Sequence, residues 1–200
     1  MTPQDCILIM PASGFSRRFG KADKLTADFG GSPLASYAAR AAQAVGFAQM
    51  IAVVPSAGGA LADIFEAHGF DLVVNPNPTL GQQHSIRIGA RAANAGGKAL
   101  CVMLADMPFV PPRHIIELLA AAPNDGVIKT HYAGHTQPPA VFTGRARDAW
   151  LTADGHGDYP PNSALTEQER SLPLAAPYGE DVDTPDALEQ LLTLLPDLAL

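Results

Sequence analysis

The first stretch able to do chemistry is Pro11-Ala12-Ser13-Gly14-Phe15-Ser16-Arg17-Arg18-Phe19-Gly20-Lys21-Ala22-Asp23-Lys24, directly after an apolar run. Residues as small as Ala12, Ser13, Gly14 and Ser16 let a backbone approach a ligand closely, and their N–H groups can form an anion-binding concavity. Arg18 offers a planar fork to phosphate oxygens, and Lys24 a point charge. The chemistry favoured is phosphate binding with fixed positive charge where a phosphoryl group reacts. This is not a Walker A loop, which needs Gly-Lys-Ser/Thr before a helix, and Gly14 and Gly20 lack dinucleotide-fold spacing. On composition alone, an ordinary strand–helix connection with solvated basic residues fits equally well.

Two carboxylates stand where they can serve such a loop. Asp106 follows Ala99–Leu104, the clearest apolar run, so it belongs at the carboxyl end of a strand. A carboxylate there can hold Mg²⁺, which binds through one or two carboxylates plus substrate phosphates; it can equally cap the next turn. Asp183 precedes Thr184-Pro185, a helix start whose dipole favours its charged form, and is a candidate for ligation or for capping. Ser85 is expected to begin a helix and offer its hydroxyl and N–H to a phosphate, with Asn75 reading a base or ribose edge; an N-cap and a turn residue are the plainer roles. The histidines make poor metal ligands. His131 and His135 are four apart but surround Gly134, no His-Glu-x-x-His pattern occurs, and His68 and His114 read as helix residues. Asp154, His156 and Asp158 alternate in a Gly-rich stretch that reads as a mobile substrate loop.

Alternating strands and helices must position these groups. Cys6–Met10, Met50–Val54, Leu72–Val74, Ala99–Leu104 and Gly126–Thr130 read as strands. Between them, Leu34–Val45, Leu61–His68, Ser85–Ala95 and Ile115–Ala121 carry helical periodicity. The pattern predicts one domain over residues 1–200, a three-layer Rossmann-like α/β fold with a mostly parallel sheet. Such sheets bind ligands outside the carboxyl ends of their strands. Residues 131–177, rich in Gly, Pro and His with a helical piece at Arg145–Leu151, read as an acceptor-binding excursion from the sheet. Thr184 is expected to N-cap a last helix running to Leu195.

The bulk properties narrow the partners. A formal net charge of −7 argues against nucleic acid and anionic membrane surfaces, while local cations can still bind anionic small molecules. No apolar run approaches the roughly 20 residues that span a bilayer. Met1-Thr2-Pro3-Gln4-Asp5 lacks the basic segment of a signal peptide, so a cytoplasmic location is expected. Cys6 and Cys101 lie in apolar runs and read as packed thiols of a reducing compartment.

The loop resembles the Leu-Ala-Ala-Gly-x-Ser-x-Arg-Met-Gly-x-x-Lys signature of the MobA-like NTP transferases. Gly14, Ser16, Arg18, Gly20 and Lys24 fall on matching positions, whereas Pro11, Ser13 and Phe19 depart from it. Asn75-Pro76 and Gly81-Gln82-Gln83-His84-Ser85-Ile86-Arg87-Ile88-Gly89 resemble the family's Asn-Pro … Gly-Met-Ser-x-Ser-Leu-x-x-Gly segment, with Gln82 and Gln83 in place of Met and Ser. Leu104-Ala105-Asp106-Met107-Pro108 resembles its Gly-Asp-Met/Gln-Pro motif, Asp154-Gly155-His156-Gly157 its Gly-Asp-x-Gly, and Val182-Asp183-Thr184-Pro185-Asp186 its Asp-Ile-Asp-Thr-Pro-Glu-Asp ending.

The resemblance implies a nucleotide-diphospho-sugar transferase-like fold and Mg²⁺-dependent transfer of a nucleoside monophosphate from an NTP to a phosphorylated acceptor. Arg18, Lys24 and Asp106 would be catalytic, Asp106 and Asp183 the metal ligands. Ala12, Ser13, Gly14, Ser16, Arg18, Lys24, Asn75 and Ser85 would bind the nucleotide. Ser13 stands where cytidylyl-type members carry Ala and guanylyl-type members Gly; its Cβ aligns it with Ala, which favours CTP. The acceptor would then be molybdopterin carrying molybdenum, and a molybdoenzyme the recipient of the product. Two other classes share these residues: a GTP- or UTP-using transferase acting on a sugar-1-phosphate, and a non-catalytic cofactor-binding chaperone.

Overall fold

Alternation along each strand divides the core between two faces, because successive side chains of a strand point to opposite sides. In β1 (Cys6–Pro11), Cys6, Leu8 and Met10 join one apolar cluster, and Ile7 and Ile9 another. The same division runs through β2 (Gln49–Val54) and β4 (Ala99–Val102). A sheet apolar on both faces must be covered on both. Residues of α1 (Leu34–Val45), α2 (Ala60–Ala67) and α4 (Pro112–Ala121) complete the first cluster. Residues of α3 (Gln82–Ala92) and α5 (Gly144–Thr152) complete the second. The result is the expected three-layer α/β sandwich.

The structure is a computed structural model that describes residues 1–14, 19, 23–93, 96–152 and 169–197. With β3 (Asp71–Val74), β5 (Gly126–Tyr132), β6 (His135–Thr143) and β7 (Glu169–Pro173), the sheet has seven strands in the order β3-β2-β1-β4-β6-β5-β7. β1 to β4 pair in parallel, β6 runs antiparallel to both β4 and β5, and β7 is parallel to β5. No helix among the described residues is long and apolar enough to cross a membrane. Cys6 and Cys101 are buried free thiols, and burial pushes both well above the usual thiol range.

Residues 131–177 correct the sequence reading. The described part holds strands that the reading as an excursion did not include: β5 runs on to Tyr132, β6 covers His135–Thr143, and β7 follows at the edge, while residues 153–168 lie outside the described residues. Pro138-Pro139 hides β6 in the sequence, since proline cannot donate to a ladder. The structure accommodates the pair at an irregularity: Lys129 pairs with Ala140 and the next residue, Thr130, with Gln137, so both prolines are passed over. His131 and His135 therefore sit on strands flanking a hairpin turn.

Two helix ends also differ from expectation. α3 starts at Gln82 with Gly81 (φ 87°) at its N-cap, so Ser85 lies within the helix and does not begin it. The last helix, α6 (Pro185–Leu192), stops short of Leu195, which opens a separate short 3₁₀ turn. Its start is as expected: Thr184 accepts a hydrogen bond from the Ala187 N–H at 3.1 Å, with Pro185 at the first helical position.

Candidate active site

The candidate site residues gather at the carboxyl ends of the parallel strands. Ala12 N–H donates to the Val53 carbonyl at 2.8 Å, Asn75 N–H to Val54 at 2.9 Å, and Met103 N–H to Ile9 at 3.2 Å, so three loops leave the same edge of the sheet. Two side-chain clusters stand on these loops.

The first joins Lys24, Asp106 and Asp183. Lys24 Nζ donates to Asp106 Oδ2 at 2.6 Å, to the Val182 carbonyl at 2.8 Å and to Asp183 Oδ1 at 3.1 Å. Burial alone would lower the lysine's pKa; the Asp106 charge and the bonds to both aspartates more than reverse this and hold it above its usual value. Lys24 therefore stays a full positive charge, fixed at the strand ends. A small apolar cluster of Phe29, Leu34, Phe109, Val182, Leu188 and Leu191 lies against these loops and anchors them to α6. Val182 N–H donates to the Asp106 carbonyl at 2.9 Å, which ties the two carboxylate-bearing segments directly.

Asp181 is the residue that sequence reading missed. Asp106, Asp181 and Asp183 each offer an oxygen, and all these atoms lie within 4.8 Å of one another. Burial, then the charges of Asp106 and Asp183, raise the pKa of Asp181. Asp106 Oδ1 is buried with no hydrogen-bond partner among the described residues. Three carboxylates, one with a buried oxygen that lacks a partner among the described residues, fit a small divalent cation such as Mg²⁺ or Mn²⁺. The signal available in the sequence was the Asp-x-Asp alternation around buried Val182, which places Asp181 and Asp183 on one side of an extended chain.

The second cluster joins Ser13, Asn75 and Ser85, each no more than 2% exposed. Ser13 Oγ and Ser85 Oγ lie 2.8 Å apart, and Asn75 Nδ2 donates to them at 3.0 and 3.1 Å. Asn75 Oδ1 accepts from the Asn77 N–H at 2.9 Å. These side chains hold the β1 loop, the end of β3 and the first turns of α3 to one another. Ala12 is buried beside them and Gly14 is exposed at the loop surface. Ser16, Arg18 and Gly20 lie outside the described residues, as do Asp154, His156 and Asp158. His68 caps α2 and shares a hydrogen bond with the Ile64 carbonyl, and His114 is buried in α4, so neither joins the site.

No curated protein sequence matches the chain. Solved structures do, at identities where the likeness is one of fold. Rv0371c from Mycobacterium tuberculosis H37Rv superposes with a TM-score of 0.76 at 22% identity, covering 96% of this chain and 100% of that one. A manganese complex of the same protein gives 0.70 at 20%, covering 94% and 98%. A nucleotidyl transferase from Methanothermobacter thermautotrophicus gives 0.80 at 15%, covering 96% and 98%. CMP:2-keto-3-deoxy-manno-octonic acid synthetase complexed with CTP gives 0.72 at 16%, also covering 96% and 98%. The MobA-like NTP transferase domain model matches residues 8–171, most of the sheet and the β1 loop with it, and the chain belongs to that nucleotidyltransferase family.

Proposed function

We propose that the chain is a Mg²⁺-dependent cytidylyltransferase that moves CMP from CTP onto a phosphorylated acceptor, molybdopterin carrying molybdenum, and releases pyrophosphate. The observation that carries this reading is the convergence of Lys24, Asp106 and Asp183 at the carboxyl edge of the sheet, within 3.1 Å of one ammonium. A phosphate acceptor is already a competent nucleophile, so the protein's task is positioning and charge stabilisation. The acceptor oxygen attacks the α-phosphorus; as that P–O bond forms, the bond to the β-phosphate's bridging oxygen breaks and pyrophosphate leaves with the electron pair. Lys24 supplies fixed positive charge to the triphosphate, and Arg18, on sequence grounds, grips the same oxygens. The Ala12–Gly14 backbone opens the cradle, and the Ser13–Asn75–Ser85 cluster holds it against α3. Asp106, Asp181 and Asp183 would hold Mg²⁺, which when bound neutralises charge on phosphoryl oxygens.

The preference for CTP rests on the resemblance of the Cβ-bearing Ser13, the Gly81–Gly89 segment and the Asp183-Thr184-Pro185 ending to the cytidylyl type, and the synthetase complexed with CTP is a fold neighbour in keeping with it. The manganese complex of the mycobacterial neighbour agrees with a divalent cation. Thermal shift with CTP, GTP, UTP and ATP, each with and without Mg²⁺, tests both choices. A nucleotide at about 100 times its Kd adds roughly 2.7 kcal/mol, which for a chain of this length raises Tm by roughly 2–4 °C per kcal/mol. The expected result is a Mg²⁺-dependent shift with CTP, lost in Asp106→Ala, followed by pyrophosphate release when molybdenum-loaded molybdopterin is added. A shift with GTP or UTP alone overturns the base assignment.

A further inference from the structure

The segment that carries Asp181 and Asp183 has no regular secondary structure, yet it must present both carboxylates toward Asp106. Like charges so close push this segment outward, so its position needs fastening from outside the acidic cluster. The β5–β6 hairpin supplies that fastening at two adjacent residues. Tyr132, 7% exposed, donates its hydroxyl to Glu180 Oε1 at 2.6 Å. Gln137 Nε2 donates to the Gly179 carbonyl at 2.6 Å. Gly179 lies flat on the Tyr132 ring, where an added Cβ would collide with the ring atoms.

We propose that Tyr132 and Gln137 are positioning residues for the divalent cation, acting through Gly179 and Glu180 to preorganise Asp181 and Asp183. This rests on the metal reading of the site given above. The chain of contact is short: Glu180 precedes Asp181, and Val182 between the two aspartates bonds to the Asp106 carbonyl at 2.9 Å and to Lys24 at 2.8 Å. With the hairpin in place, the cation meets carboxylates already aligned. Without it, binding must also order the segment against carboxylate repulsion, and affinity falls. Burial, then the Glu180 bond and charge, push the Tyr132 hydroxyl up to about 12, so it remains a donor at any working pH. The hairpin also joins the metal segment to the sheet through β6, next to β4 and its Asp106 loop.

The test is titration of the full chain with Mn²⁺ alone, followed by electron paramagnetic resonance, in wild type, Asp106→Ala, Tyr132→Phe, Gln137→Ala, Glu180→Ala and Glu180→Gln. Outer partners of metal ligands typically govern roughly 10- to 100-fold in affinity. Tyr132→Phe, which keeps the ring against Gly179, and Gln137→Ala are each expected to weaken Mn²⁺ binding about tenfold. Glu180→Gln and Glu180→Ala remove the same charge, but only Gln still accepts from Tyr132, so Glu180→Gln is expected to bind several-fold more tightly than Glu180→Ala. This exposed pair carries the test should a hairpin variant fail to fold. Wild-type affinity in Tyr132→Phe and Gln137→Ala, or equal affinity in the two Glu180 variants, overturns the positioning role. If Asp106→Ala has meanwhile lost Mn²⁺, the metal reading stands alone. Equal Mn²⁺ binding by wild type and Asp106→Ala, or none by wild type, overturns both.

Discussion

Lys24 and Asp106 divide the electrostatic work of the site. The ammonium holds two carboxylates and a carbonyl at once, while Asp106 keeps one buried oxygen without a partner among the described residues. Asp106→Asn retains the shape of the side chain and removes the charge, so turnover is expected to fall by about 10²-fold or more with little change in Tm; steady-state pyrophosphate release and a melting curve check both. Lys24→Ala takes away the fixed cation and is expected to lower kcat/KM for the nucleotide by about 10- to 10³-fold, with unchanged kcat/KM counting against its role. Both residues were legible in the sequence through their motifs. Asp181 was not singled out, because a carboxylate next to a helix start looks like any solvated acid until Val182 is seen to turn inward between it and Asp183. Ser13, Asn75 and Ser85 were named separately, among eight residues expected to bind the nucleotide. That they act first on one another is a matter of hydrogen bonds across 62 and 72 residues of chain, which spacing does not disclose.

At the scale of elements, tight contacts fix how each helix meets the sheet. Gly89 brings α3 close to β1 and β2: an added Cβ would lie 2.6 Å from Ile9 Cγ2 and 2.9 Å from Val53 Cγ2. Gly89→Ala forces these strands' side chains to move and is expected to cost about 1–3 kcal/mol, read from urea unfolding. Since α3 also carries Ser85, nucleotide affinity should weaken with it. Thr184→Ala removes the N-cap of α6 and is expected to cost about 1 kcal/mol, with a larger effect on metal-dependent activity than on Tm because the cap adjoins Asp183. Periodicity disclosed α1, α2, α4 and the four parallel strands to within a few residues. It failed for β6, where two prolines and the polar residues His135, Thr136 and Gln137 mask a strand whose pairing with β4 is set by partners far away in sequence.

Across the whole molecule, a buried histidine links the helical layer to the sheet. His114 of α4 is 3% exposed, and its Nε2 lies 2.9 Å from Thr130 Oγ1, which in turn donates to the Pro139 carbonyl at 2.9 Å. The hydroxyl proton is thereby committed, so Nε2 is the donor. Burial lowers its pKa below the usual 6.5, with the Glu117 charge opposing weakly. The folded state thus binds fewer protons at His114 than the unfolded chain, and the stability this gives is present above about pH 6.5 and lost as pH falls through the lowered folded value. Wild type is expected to lose Tm between pH 7 and pH 5 more steeply than His114→Gln; parallel slopes would exclude His114 as the source. The bulge that this contact braces is the one that lets β6 cross Pro138-Pro139 and continue into the sheet.

The order of apolar runs, the loop between the first strand and Lys24, and the acids after the fourth strand and before the last helix are local features. The amino-acid sequence alone determined from them a three-layer α/β fold, and it singled out Lys24, Asp106 and Asp183, which the structure brings together at one edge of the sheet. Tertiary structure decided what depends on contact between distant segments: the placement of β6 and β7, the joining of Asp181 to the acidic cluster, the mutual bonds of Ser13, Asn75 and Ser85, and the hold of Tyr132 and Gln137 on residues 179 and 180. The reason is physical. A strand's face or a helix's stripe is written in neighbours a few residues apart, whereas a side-chain hydrogen bond to a residue 42 or 48 positions away exists only once the sheet has brought the two together.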